Sequence, residues 1–210
     1  MPTDPVGAIP RVYNFAADIL QRNLAAGRAD KPAFVDPRGT WTYAQLADRV
    51  DRFGAVLRAL GLRREERVLM CLLDTIDWPT AFLGAIKAGV VAVPVNTLMT
   101  EDDYRFMLAD SRAQLLVVSE ALLPKFEKLI KETPDLEHVI VSGDNPNGYR
   151  LFEDIIGADE PEPYTAPTTS ASQGSISRAA RGRIFVRSTW ASKSRSAQSL
   201  TAHPAERISS

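Results

Sequence analysis

Apolar positions along this chain follow two periods, and the switches between them mark its elements. Arg67-Val-Leu-Met-Cys-Leu-Leu73 is a short, nearly unbroken apolar run, as is Val90-Val-Ala-Val-Pro-Val95. Runs of this length without alternation predict strands covered on both faces. Between them a helical pattern begins near Asp77, carries Pro79 in its first turn and stops at Gly89. Strand, helix and strand in that order predict a right-handed crossover between parallel neighbours. Pro94 withholds a backbone donor at the end of the second strand, so the chain is expected to leave the sheet there. Further strands are expected at 113–118 and 136–141, with a helix over 121–132 between them and Pro124 near its start.

The N-terminal third is read in the same way. Residues 1–12 contain three prolines and no periodicity, the pattern of a loosely tied arm. Asn14 can cap a helix running to about Ala26, with Phe15, Ile19 and Leu24 on its buried side and Gly27 as its stop. Pro32-Ala-Phe-Val35 and Gly39-Thr-Trp-Thr42 flank Asp36-Pro-Arg-Gly39, a turn between two short strands. Thr42-x-x-Gln45 has the residues of a capping box, and the helix it opens carries Leu46, Val50, Phe53, Leu57 and Leu60 as one apolar stripe ended by Gly61. Asp48, Arg49, Asp51 and Arg52 are expected off that stripe, on a solvated face. Thr100-Glu-Asp-Asp103 repeats the capping logic, with Tyr104, Met107 and Leu108 turned to the core. Ser142–Gly148 is a turn cluster, Tyr149–Ile156 a short helix, and Asp159–Pro167 an extended linker. Strands alternating with helices through 64–156 predict a doubly wound α/β sheet.

Composition narrows the function classes. With 45% apolar and 24% charged residues the chain has an ordinary globular make-up. Its formal net charge of -1 averages two unlike parts, because residues 171–210 carry seven Lys/Arg against Glu206 while residues 1–170 carry 18 bases and 25 acids. The acidic body sets up no basic field to draw in nucleic acid. Cys71, the single cysteine, forms no intrachain disulfide and lies in an apolar strand, where an inert thiol is expected rather than a nucleophile. His138 has no serine, cysteine or second histidine of the body placed to pair with it. The acids Glu101, Asp102 and Asp103 would suit a hard cation only if other oxygen donors converged on them, and none stands at motif spacing. The N-terminus lacks a secretory pattern, and the longest apolar stretch, 81–95, is interrupted by Lys87, Gly89 and Pro94 and too short to span a bilayer. A cytoplasmic protein without a membrane partner is expected. Residues 1–170 contain no dinucleotide or P-loop glycine motif, no nucleophile elbow and no His-Glu-x-x-His.

Two stretches do resemble a known family. Trp41-Thr-Tyr-Ala-Gln-Leu46 is similar to the first core motif of the adenylate-forming superfamily, and Gly84-Ala-Ile-Lys-Ala-Gly-Val-Val-Ala-Val-Pro-Val-Asn96 to its second, in the same order. Tyr13–Asp18, Leu73–Thr80 and Asn96–Tyr104 resemble the benzoate-CoA ligases within it. The resemblance covers about residues 11–170 and implies the N-terminal part of that family's large α/β domain, a mostly parallel sheet flanked by helices. It also implies an acid-thiol ligase in which ATP, with Mg, activates an aromatic carboxylate and the CoA thiol then takes the acyl group. The family's phosphate loop is expected soon after Thr168-Thr-Ser170 and is not found there, nor are the later ribose-binding aspartate, hinge and catalytic lysine. The resemblance therefore assigns no catalytic, cofactor-binding or metal residue in this chain, and ATP, Mg and CoA are not expected to bind it tightly. Lys87 is explained as a cation at the negative end of a helix dipole.

These readings divide the chain into an inactive, truncated subdomain, 1–170, and a basic Ser/Arg-rich tail, 171–210, expected to be an out-of-frame, disordered product. The rival reading of the tail is an arm that binds nucleic acid or an acidic partner through Arg178, Arg181, Arg183, Arg187, Lys193 and Arg195. The rival reading of the body is a non-catalytic α/β module that pairs with another chain, or self-associates, through an open sheet edge.

Overall fold

The computed structural model describes residues 12–157 and 164–168. The expectations for most of the N-terminal arm and for the tail lie outside those residues. Asn14 caps the first helix, α1 (Phe15–Ala25), its side chain accepting from the Ala17 N–H. An antiparallel hairpin follows, β1 (Pro32–Asp36) and β2 (Gly39–Thr42), whose turn closes when the Asp36 carboxylate accepts from the N–H groups of Arg38 and Gly39 at 2.9 and 3.1 Å. Helix α2 (Tyr43–Ala59) opens on the capping box, Gln45 N–H to Thr42 Oγ1 at 3.2 Å and Thr42 N–H to Gln45 Oε1 at 2.8 Å.

The central sheet is built from β3 (Arg67–Cys71), β4 (Val91–Pro94), β5 (Leu115–Ser119), β6 (His138–Ser142) and β7 (Arg150–Leu151), in the order β4-β3-β5-β6-β7 and parallel throughout. The connections are α3 (Asp77–Ala88), α4 (Glu101–Ser111), a 3₁₀ turn over Glu120–Lys125 with α5 (Glu127–Glu132), and, after β7, α6 (Phe152–Gly157). Alternate side chains of each strand serve opposite faces. Val68, Met70, Leu115, Val117 and Ile140 pack under α2, α3 and α6, while Leu69, Cys71, Leu116, Val118 and Val141 pack under α4, the 3₁₀ turn and α5. The expected parallel α/β sheet flanked by helices is the fold observed.

Several local expectations are corrected. In β4 only Ala92 is buried, because this strand is an edge of the sheet among the described residues and lacks a second neighbour. Its N–H groups at Val91 and Val95 donate to Glu66 and Met70, so Ala92 and Pro94 take the register that points away from β3. Helix α1 is rotated from its expected phase: Ala16 and Leu20 are buried, whereas Phe15, Ile19 and Leu24 are exposed. The helix expected over 121–132 is split at Phe126, since Pro124 lacks the N–H that an α-helix requires and the Phe126 N–H returns to Leu123 O instead. The short helix expected from Tyr149 begins only at Phe152, after the strand β7. The end of the expected linker is no free connector, because Ala166 and Thr168 are buried and hydrogen-bonded to the body. Close packing also fixes the α2–α3 crossing, where a Cβ on Gly84 would lie 2.8 Å from Phe53 Cδ1 and 3.1 Å from the Val50 carbonyl.

Candidate functional site

Parallel α/β sheets take ligands beyond the carboxyl ends of their strands, where the strand order reverses. Here β3 is that point: the next strand lies on one side of it and the one after crosses to the other. The loop after β3 is held by the Leu73 N–H donating to Ser119 Oγ at 2.9 Å and contains Thr75, whose hydroxyl is the one buried side-chain polar atom without a partner among the described residues.

Around this edge lies a clasp of charged and polar side chains drawn from five elements. Arg49 of α2 is buried and gives Asp77 Oδ1 a hydrogen bond of 2.7 Å; it also holds both oxygens of Glu153, at 2.7 and 3.0 Å, and its Nε is 3.4 Å from Thr80 Oγ1. Arg38, from the hairpin, reaches the same two acids at 2.9 Å each. The hydroxyl of Ser142, at the end of β6, donates to Asp77 Oδ2 at 2.7 Å. Asp36 ties the hairpin to the sheet, accepting from the Ile76 N–H at 2.9 Å and the Trp41 indole N–H at 3.0 Å. The Trp41 ring lies 4.9 Å from the Arg49 guanidinium, a cation–π contact. Asp77 suits the first turn of α3, where a carboxylate meets the positive end of the helix.

Electrostatics favour the charged forms of Asp36, Glu153 and Arg38. Burial alone would push the Asp36 carboxyl up, but the N–H groups of Ile76, Trp41 and Arg38 and the Arg38 guanidinium hold it below its ordinary value. Glu153 is likewise penalised by burial and held low by Arg49 and Arg38. Arg38 is held above its usual range because Asp77, Glu153 and Asp36 outweigh its own desolvation. With both oxygens of Asp77 and both of Glu153 engaged, the clasp is a lock rather than an acid–base pair. A shallow cleft of about 420 Å³ beside it is lined by Trp41, Gln45, Arg49, Arg52, Glu153 and Ile156, and Arg52 is itself paired with Asp48 at 2.8 Å.

The residues singled out in the sequence fall elsewhere. Cys71 is buried on the opposite face, 3.5 Å from the Tyr104 hydroxyl, and burial pushes its thiol up. His138 is half-buried, its Nε2 3.0 Å from the Leu60 carbonyl at the end of α2. Lys87 pairs with Asp51 across the α2–α3 interface, so a specific ion pair accompanies its place in the last turn. Asp103 caps α4 through Thr100, and Arg105 takes up Glu101 and Asp102, which leaves those acids as helix-end chemistry. The exception is Arg49, expected on a solvated face. It lies three residues after Leu46 and four before Phe53, on the apolar stripe itself, and that spacing was the available signal. Asp77, Ser142 and Glu153 carry no such signal, being 28 to 104 positions from Arg49.

Comparison with known proteins decides the family. The family model for AMP-binding enzymes matches residues 20–175, most of the chain. This chain belongs to the AMP-binding enzyme family. Among curated AMP-binding relatives, the benzoate–CoA ligase of Thauera aromatica is 52% identical over 142 residues, 67% of this chain and 27% of the relative. The 4-hydroxybenzoate–CoA/benzoate–CoA ligase of Rhodopseudomonas palustris is 43% identical over 136 residues, 65% of this chain and 25% of that protein. Among solved structures, an anthranilate CoA ligase in complex with anthranoyl-AMP superposes with a TM-score of 0.73 at 35% identity, over 79% of this chain and 31% of the other. A benzoate CoA ligase from Burkholderia xenovorans LB400 gives 0.67 at 41% identity, over 75% and 31%. The chain thus spans about a quarter of the length of these curated AMP-binding relatives.

Proposed function

We propose that this chain is the sheet-bearing N-terminal portion, residues 1–170, of an aryl-CoA ligase that converts benzoate or a close aromatic acid, ATP and CoA into the aryl-CoA, AMP and pyrophosphate. The observation that carries this reading is the 52% identity to a benzoate–CoA ligase. Two sequence features add support: the segment Trp41–Leu46 and the helix–strand unit around Gly89. The part assigned to this chain is structural. The carboxylates of Asp36, Asp77 and Glu153 at the carboxyl edge of the sheet are taken by arginines, Ser142 and backbone N–H groups, so they are not free oxygen ligands for Mg. In this reading the 210-residue chain alone is inactive, its parent enzyme is cytoplasmic, and residues 171–210 are an out-of-frame segment rather than a nucleic-acid-binding arm.

Three experiments test it. ATP–pyrophosphate exchange with benzoate should be absent for the purified chain, and measurable turnover would overturn its inactivity. A chimera placing residues 1–168 ahead of the remaining three quarters of the Thauera aromatica relative should form benzoyl-CoA. A chimera that folds and forms no aryl-CoA would overturn the ligase reading. Resequencing the gene checks the tail, because a correct reading frame through codon 210 would remove the frameshift.

A further inference from the structure

Asn14 uses the two ends of one amide for two separate purposes. Its Oδ1 accepts from the Ala17 N–H at 3.1 Å and caps α1. Its Nδ2 points into the far end of α3, 3.1 Å from the Ile86 carbonyl and 3.3 Å from those of Lys87 and Ala166. The last carbonyls of a helix have no partner within it. In α3 they are met partly by this amide and partly by the Ala166 N–H, which donates to the Lys87 carbonyl at 2.8 Å.

Ala166 belongs to a strap, Tyr164–Thr168, that lies along the corner between α1 and α3. The Tyr13 N–H donates to the Thr168 carbonyl at 2.8 Å, and the Thr168 hydroxyl donates back to the Tyr13 carbonyl at 2.6 Å. Arg64 donates to the Pro167 carbonyl at 2.8 Å, and the Arg58 guanidinium lies 4.6 Å from the Tyr164 ring centroid. The Ala166 methyl closes against Gly89, where a Cβ would sit 2.8 Å from it and where φ is +81°. The corner leaves that glycine no alternative on either ground.

The identity of the capping residue is therefore informative. Serine, threonine and aspartate cap helices about as well as asparagine, but none supplies an N–H for three facing carbonyls. We propose that Asn14 is a latch residue: its Nδ2 fastens the strap Tyr164–Thr168 to the end of α3, so that the seating of the strap is set from the α1–α3 corner. This stands apart from the ligase reading and needs only the geometry of the corner.

Amide hydrogen exchange on the full chain, read residue by residue, tests it. Asn14→Ser and Asn14→Asp keep a cap acceptor for Ala17 and remove the Nδ2 donor, and the aspartate also sets a carboxylate against three carbonyls. Either substitution should speed exchange at the Ala166 N–H by tenfold or more while Ala17 and the β5 amides keep their wild-type rates. Asn14→Ala should speed both Ala17 and Ala166. The latch is overturned if Ala166 exchanges within twofold of wild type in a folded Asn14→Ser protein. It is equally overturned if the loss of protection spreads evenly through β5.

Discussion

The two faces of the sheet are held by different chemistry. Under α2, α3 and α6 an apolar layer ends, at the carboxyl edge, in the clasp of Arg38, Arg49, Asp77, Ser142 and Glu153, whose partners are far apart in sequence. Under α4 and α5 the layer is closed by aromatic packing, Tyr104 against Phe126 with ring centroids 4.5 Å apart, and the Tyr104 hydroxyl donates to the Asn96 carbonyl at 2.8 Å. The ion pairs on that side join α4 to itself, to α5, or α5 to itself, and all are exposed. Exposed pairs of this kind add little, so the second face depends on fit, whereas the first also depends on the buried Arg49–Asp77 pair and its half-exposed and polar partners, a set complete only when the hairpin, α2, α3, β6 and α6 are all in place. Apolar contacts alone tolerate a shifted helix better than a buried charge tolerates a missing partner.

Substitutions can break this contrast, and the largest effect is expected at Arg49. Arg49→Met should cost about 3 kcal/mol in denaturant unfolding, the lower end of the range for orphaned buried charges, because Arg38 still reaches Asp77. Adding Asp77→Asn should return part of that loss; no recovery would mean that packing, not charge, holds the face. Next comes Gly84→Ala, which drives a methyl into Phe53 and Val50 and should cost about 1–3 kcal/mol by the same measurement. On the other face Tyr104→Phe, which removes only the hydroxyl, should cost about 1 kcal/mol. A cost comparable to that of Arg49→Met would erase the distinction between the faces.

The smallest effect is the pH dependence. Asp36 and Glu153 are held below their ordinary values of 3.8 and 4.5, so the unfolded chain binds protons more readily than the folded one just below those values. Their contribution is complete above about pH 5 and lost as pH falls through the depressed folded values. Cys71 and Tyr104 are pushed up, chiefly by burial, from 9.0 and 10.0, so the folded state keeps protons that the unfolded chain releases, and stability falls as pH rises through that range. Asp103 and Glu120 are also held low and Tyr13 is also pushed up, so both limbs must be read as differences from wild type. Glu153→Gln should flatten that limb and leave the alkaline limb unchanged, and Tyr104→Phe should do the reverse. The opposite pairing in a thermal-melt series would refute the assignment of these residues to their limbs.

Legibility in the sequence follows the range of the interactions. The capping boxes at Thr42 and Thr100, the stop at Gly89, the turn at Asp36 and the strand runs could be read because each is decided within a few residues. The rotation of α1 could not, because it is fixed from outside: Asn14 is held to the carbonyls of Ile86 and Lys87, and that places Ala16 and Leu20, rather than Phe15 and Ile19, toward the body. The clasp was half legible. An arginine on an apolar stripe signals a buried counter-charge, yet which acid answers it depends on β6 and α6 arriving beside α3. The break at Phe126 is local too, since Pro124, inside the span expected as one helix, is what interrupts it.

The register of β4 carries one more implication. On its outward side the strand offers the carbonyls of Ala92 and Pro94 but a single amide hydrogen, that of Ala92, since proline has none. An incoming strand must therefore supply the donors here. The sheet can be extended on this side only by a neighbour that accepts an uneven exchange, and a second β4 facing it, equally short of hydrogens, makes a poor match.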